Sequence, residues 1–184
     1  MMAADGRFAE AADLFGTLAV RAERAGDRPA HARYQLGRAT MLERLGDVDG
    51  ADQALAAILP ELEKGKDAVV LADALATLGD VRRGQGRLAE ARAVYGDVIA
   101  RRTALFGADN RATLSTIVSL ALVDAAGGDD RSARDLLERF TTTLDRQAAA
   151  NAAAADNARV GRIEDRALSA GAVYDYLVKT YYRL

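Results

Sequence analysis

Apolar residues recur at helical spacing in a series of short segments, each closed by glycine. Leu71, Leu75, Leu78 and Val81 are spaced 4, 3 and 3 apart, and Leu114, Ile117 and Leu120 continue at 3 and 3, with Ala121 beside them. Phe8, Ala11, Phe15 and Leu18 mark one apolar face; Leu88, Ala91, Tyr95 and Val98 mark an equivalent face later. This pattern predicts helices at about 7–25, 30–45, 49–63, 68–84, 88–105, 110–126 and 131–149. After Arg146 the pattern changes. Ala148–Ala155, interrupted only by Asn151, has high helix propensity but little apolar surface to bury. Ala167–Leu184 is amphipathic, with Val173, Tyr174, Leu177, Tyr181 and Leu184 at helical spacing. It reads as the first helix of a further unit.

The glycines are periodic. Gly6-Arg7-Phe8-Ala9-Glu10-Ala11 is echoed from Gly46, Gly86 and Gly128, at steps of 40 (46 − 6), 40 (86 − 46) and 42 (128 − 86). A fixed period in this range marks a solenoid of stacked supersecondary units. A second series falls between: Gly26-Asp27-Arg28-Pro29, Lys64-Gly65-Lys66-Asp67 and Gly107-Ala108-Asp109-Asn110. Gly suits the left-handed residue that ends a helix, and Asp or Asn after it suits the N-cap of the next. Two turns per period mean two helices per period. The expected fold is therefore all-α, a superhelical solenoid of antiparallel helix pairs.

These residues resemble the tetratricopeptide repeat family. In that family a Leu-Gly or Leu-Ala pair precedes the inter-helix Gly by eight and seven residues, as Leu78-Gly79 precedes Gly86 and Leu120-Ala121 precedes Gly128. A small residue follows five after the Gly (Ala11, Ala51, Ala91, Ala133), and a bulky one four further on (Phe15, Leu55, Tyr95, Leu137). The long period, and the run from Leu105-Phe106-Gly107 to Leu120-Ala121, are similar to the kinesin-light-chain-like subclass. There are departures. Asn110-Arg111 stand where that subclass has His-Pro, and Arg38-Ala39 stand where Leu-Gly is expected, with Leu36-Gly37 two residues early. Val118 and Ser119 replace groove asparagines, and the carboxylate-clamp positions hold Leu36, Thr40, Ala76 and Asp80. The resemblance implies a right-handed superhelix with units at about 1–25, 29–64, 67–106 and 110–147, followed by an Ala-rich helical extension and an amphipathic helix over 148–184.

Composition narrows the chemistry. The chain has 184 residues, half of them hydrophobic, yet aromatics make up only 5 % and Trp is absent, so Ala, Leu and Val must build the core. The 25 basic and 27 acidic residues are finely mixed, which gives neither a nucleic-acid stripe nor an acidic tail. Zero cysteines exclude disulfides and thiolate metal sites. The apolar runs are too short to span a bilayer, and the N-terminus lacks the pattern of a signal peptide. A cytoplasmic bacterial protein is the expectation.

No residue set points to catalysis. His31 is the lone histidine and reads as a surface residue in a first helical turn. Asp129-Asp130 read as helix capping, and Gly84-Gln85-Gly86 follows a helix rather than a strand, so it is no phosphate loop. Arg82-Arg83 and Arg101-Arg102 read as a solvated face, and Tyr174, Tyr176, Tyr181 and Tyr182 as core for a neighbouring helix. No catalytic, metal or cofactor site is expected.

By the resemblance, the first helix of each unit lines the concave face. That places Arg33, Leu36, Thr40, Glu43, Arg44, Asp73, Thr77, Asp80, Arg83, Ser115, Val118, Leu122 and Ala125 there. The expected function is non-catalytic: a scaffold that binds a peptide segment or partner helix of another protein, without nucleic acid or membrane. The ends of the chain look uncapped, which suggests a homodimer or a piece of a longer protein. The alternative is a regulatory or sensor region of a larger bacterial protein carrying a kinase, transcription-regulator or caspase-like peptidase domain.

Overall fold

Most of the helices start at an aspartate or asparagine. The computed structural model describes residues 2–158, with side chains over 6–152. Among the described residues there are eight helices and no strand. They are α1 (Met2–Arg24), α2 (Arg28–Leu45), α3 (Val48–Ala56), α4 (Leu59–Lys64), α5 (Ala68–Gly84), α6 (Leu88–Phe106), α7 (Arg111–Ala126) and α8 (Asp130–Ala158). Asp27, Asp47, Asp67 and Asn110 accept backbone N–H bonds from the first turns of α2, α3, α5 and α7. Asp129 does the same for α8, accepting from the Ser132 N–H at 3.1 Å. The paired acids at 129–130 therefore include a cap. Arg87 begins α6 without a side-chain cap and instead reaches Glu90 at 2.6 Å.

Turn chemistry separates the repeated glycines. Gly46, Gly86 and Gly128 have φ of +80°, +73° and +83°, as do Gly26 and Gly107 at +71° and +92°. Only the left-handed region allows the chain to reverse so tightly, which is why glycine recurs. Gly6 breaks the analogy: it lies inside α1, which runs through the expected turn. Gly65 also differs from expectation, being extended at φ −81° and ψ −179°.

The helix expected over 49–63 is split. Pro60 has no N–H for the Ala56 carbonyl and its ring crowds that turn, so the helix ends at Ala56 and restarts at Leu59. Leu55 and Leu62 stay buried on either side of the break and Ile58 within it, so both pieces keep one apolar face. At the other end, the alanine run through Ala158 continues α8. The amphipathic stretch 167–184 and its four tyrosines lie outside the described residues.

Consecutive helices pack as antiparallel neighbours: α1 on α2, α2 on α3, α5 on α6, α6 on α7 and α7 on α8. The alanine after each turn lets the helices touch. Ala51 and Ala91 are completely buried, with Leu55 and Tyr95 one turn further on. Gly79 faces Tyr95 so closely that a Cβ there would lie 2.6 Å from the ring. The displaced Leu36-Gly37 has its own partner: a Cβ at Gly37 would lie 2.9 Å from the Phe15 ring of α1. Ala39 meanwhile is fully buried in the cluster of Ala51 and Leu55. The second unit thus keeps a small residue in the family's place and uses its early glycine to admit α1.

Candidate interaction groove

The helices that precede each inter-helix turn, α2, α5 and α7, lie side by side, α5 touching both neighbours. Their faces away from the second helices form one surface. Arg33, Arg44 and Ser115 are exposed on it; Leu36, Thr40, Glu43, Asp73, Thr77, Asp80, Arg83, Val118, Leu122 and Ala125 are half-buried.

Much of the polar capacity of this surface is already engaged. Thr40 and Thr77 donate to the carbonyls of Leu36 and Asp73, at 3.0 and 3.1 Å, and Ser115 donates to Ala112 at 2.9 Å. Arg33 sits 3.7 Å from Asp67. Arg44 stacks over Phe8 of α1 at 5.6 Å.

One charged cluster spans α2, α5 and α6. The Tyr95 hydroxyl donates to Asp80 Oδ1 at 2.7 Å, and Arg83 Nη2 reaches the same oxygen at 3.4 Å. Burial, with Asp80 beside it, pushes the Tyr95 phenol far above its ordinary range. Glu43 adjoins this group. Burial first, and then the Asp80 charge, raise its pKa above 4.5, against the opposing pull of Arg83 and Arg44. The α7 end is different: Ser115 and Val118 border an apolar cleft with Leu114, Phe140 and Leu144. The surface therefore runs from charged at α2 and α5 to apolar at α7.

Two arginines read as solvated prove to be ties between helices, Arg102 buried and Arg82 half-buried. Arg102 is 9 % exposed; it donates to Asp73 at 2.6 Å, to Thr116 Oγ1 at 2.7 Å and to the Ala112 carbonyl at 3.0 Å. It thereby joins α5, α6 and α7, and it occupies the groove residue Asp73. Arg82 holds Asp52 of α3 at 2.6 Å, and that hydrogen bond lowers the Asp52 pKa despite partial burial. Arg101 is exposed beside Asp97, and Arg83 is half-buried beside Asp80. Asp124, 3 % exposed, was not singled out by sequence. Arg92 Nε lies 3.2 Å from it, unaligned for a hydrogen bond, and burial raises its pKa. His31 is half-buried, its Nε2 3.4 Å from the Gln35 amide. Among the described residues no group of His, Cys, Asp and Glu could hold a metal ion.

Residues 70–144, most of α5 through α8, match the model of the tetratricopeptide repeat family. That supports the tetratricopeptide repeat family. The crystal structure of BtubC (BKLC) from P. vanneervenii is similar in fold, with a TM-score of 0.61 at 14 % sequence identity. The match covers 76 % of this chain and 57 % of that one, so this chain spans little more than half the neighbour's length. At that identity the likeness concerns the fold: an all-α helical repeat solenoid. No curated protein matches the sequence. Tetratricopeptide repeats in general mediate protein–protein interaction, which fits a surface of open, half-buried side chains.

Proposed function

We propose that this chain is a non-catalytic interaction scaffold, binding a peptide segment or partner helix of another protein on the face formed by α2, α5 and α7. The observation that carries this reading is the direct side-by-side packing of those helices, with Glu43, Asp80, Arg83, Val118 and Leu122 half-exposed along them. Such a face offers preformed side-chain contacts at little ordering cost. The long period and the 105–121 run support placing it in the kinesin-light-chain-like subclass, with units at about 1–25, 29–64, 67–106 and 110–147 and an extension over 148–184. Finely mixed charge supports a protein partner over nucleic acid. No helix among the described residues is long and apolar enough to cross a membrane, which fits the proposed cytoplasmic setting.

Capture from a bacterial lysate tests the reading. Glu43→Lys and Val118→Asp, both in the groove, should each abolish capture of a partner that wild type retains. Asp97→Lys, on the exposed face of α6, should leave it intact. Capture that survives both groove variants and fails only in Asp97→Lys would place the binding face elsewhere. Circular dichroism checks that each variant is folded.

A further inference from the structure

One apolar position of the repeat is taken by an arginine. By the glycine steps, Arg38 corresponds to Leu78 (38 + 40) and to Leu120 (78 + 42), and both leucines pack against buried clusters. Arg38 instead is exposed, and it lies two residues from both Leu36 and Thr40, hence on the opposite side of α2 from the groove. Its side chain packs on Gly16 of α1, where a Cβ would touch the Arg38 Nε at 3.5 Å. There it borders a cleft of about 610 Å³ where α1 meets α2, shared with Arg21 and Arg24. Those two arginines are exposed as well, and none of the three has an ion-pair or hydrogen-bond partner among the described residues. Asp13 is the one acid among the described residues that line the cleft, and Ala12, Gly16 and Val20 give it an apolar floor.

We propose that this cleft is a second binding site, separate from the groove of α2, α5 and α7, for an acidic peptide segment of a partner protein. Three guanidinium groups against one carboxylate leave it positive, in a chain whose 27 acidic residues outnumber its 25 basic ones, so the complementary ligand is anionic. Dimensions decide its kind. From Asp13 to Arg24 the wall runs eleven residues (24 − 13), about 16 Å of helix. An extended peptide covers that length in about five residues, whereas a single inorganic phosphate fills only a fraction of it. Each guanidinium fork can take a carboxylate through two parallel hydrogen bonds. Val20, 46 % exposed, offers the aliphatic part of glutamate side chains an apolar surface. A nucleic acid fits less well: its phosphates recur along a backbone longer than the cleft, and no aromatic side chain among the lining residues is there for a base to stack on.

Fluorescence anisotropy of labelled hexaglutamate with the full chain at low salt tests the proposal. Wild type should bind it in preference to hexaglutamine, and Arg21→Gln with Arg38→Gln should weaken binding about tenfold. Arg134→Gln with Arg139→Gln, the same change of charge at exposed positions of α8, should leave it within about twofold. All four side chains are exposed, so each variant is expected to fold, which circular dichroism checks. No binding, or equal weakening by the two pairs of substitutions, overturns the proposal. Tighter binding of a single-stranded hexanucleotide would assign the cleft to nucleic acid, and a wild-type dimer that Arg21→Gln with Arg38→Gln dissolves would assign it to a second copy; either also overturns it. Hexaglutamate binding that Val118→Asp abolishes and the α1–α2 pair of substitutions spares would put the peptide in the groove, again against a second site.

Discussion

Gly79 lies against the ring of Tyr95, and that single contact predicts opposite outcomes for two similar substitutions. A Cβ at Gly79 would lie 2.6 Å from a ring that is 1 % exposed, whereas one at Gly96, on the outside of α6, meets nothing within 4 Å. Glycine-to-alanine in a helix gains about 1 kcal/mol of propensity where there is room. Gly96→Ala is therefore expected to stabilise by about 0.5–1 kcal/mol, and Gly79→Ala to destabilise by about 1–2 kcal/mol because overpacking outweighs propensity. Urea melts of both variants against wild type check the pair. Glu43 gives a pH signature. Its folded pKa is above 4.5, first through burial and then through Asp80, so the folded chain holds that proton more tightly than the unfolded chain. Its contribution to stability is thus favourable below this window and declines as pH rises through it. Tm of wild type should fall relative to that of Glu43→Gln between pH 4.5 and 7; parallel curves would show Glu43 to be ordinary. The residue scale is where the sequence was least legible. Arg101 and Arg102 are indistinguishable as letters, and only the packing of α5 and α7 decides that the second is buried and the first is not.

At the scale of the element, the helix boundaries follow local chemistry. Asp67 accepts the Val70 N–H at 3.1 Å and starts α5, so Asp67→Ala should cost about 1 kcal/mol and speed hydrogen exchange in the first turn of α5. Unchanged exchange there would mean that packing, not the cap, fixes the start. Most helix ends were legible in the sequence because glycine, aspartate and proline act within a turn of where they stand. The exceptions are physical. Gly6 sits among Ala3, Ala4, Arg7 and Ala9, which are strong helix formers, so one glycine, costing about 1 kcal/mol, does not interrupt α1. Pro60 acts four residues upstream, through the missing bond to Ala56, so its break falls where no breaker residue stands. Leu36-Gly37 looked like a slipped motif; its glycine serves Phe15 of the preceding helix, a contact between elements that no single-helix pattern contains.

Across the whole molecule, each helix pair contacts only its neighbours, as expected for a solenoid, so ties between pairs govern cooperativity. Arg102 is such a tie, binding Asp73 of α5 and Thr116 of α7 from α6. Its removal leaves Asp73 half-exposed and able to regain water, so Arg102→Ala is expected to cost about 2 kcal/mol, less than a fully buried pair. The chemical melt should also broaden as α7–α8 uncouples from the rest. A uniform shift without broadening would show that the array unfolds as one unit regardless. The period of 40–42 made this architecture legible, because a repeat reports stacking. The groove was legible only as a list of positions. Which of them remain available depends on long side chains such as Arg102 and Tyr95 arriving from the second helices. The most direct test of the groove is site-specific photo-crosslinking, with the reactive side chain placed at Ser115 on α7 or at Arg101 on the outer side of α6. Partner adducts forming at 115 and not at 101 are the expected result; adducts at 101 alone, or equally at both, would contradict binding on the face of α2, α5 and α7.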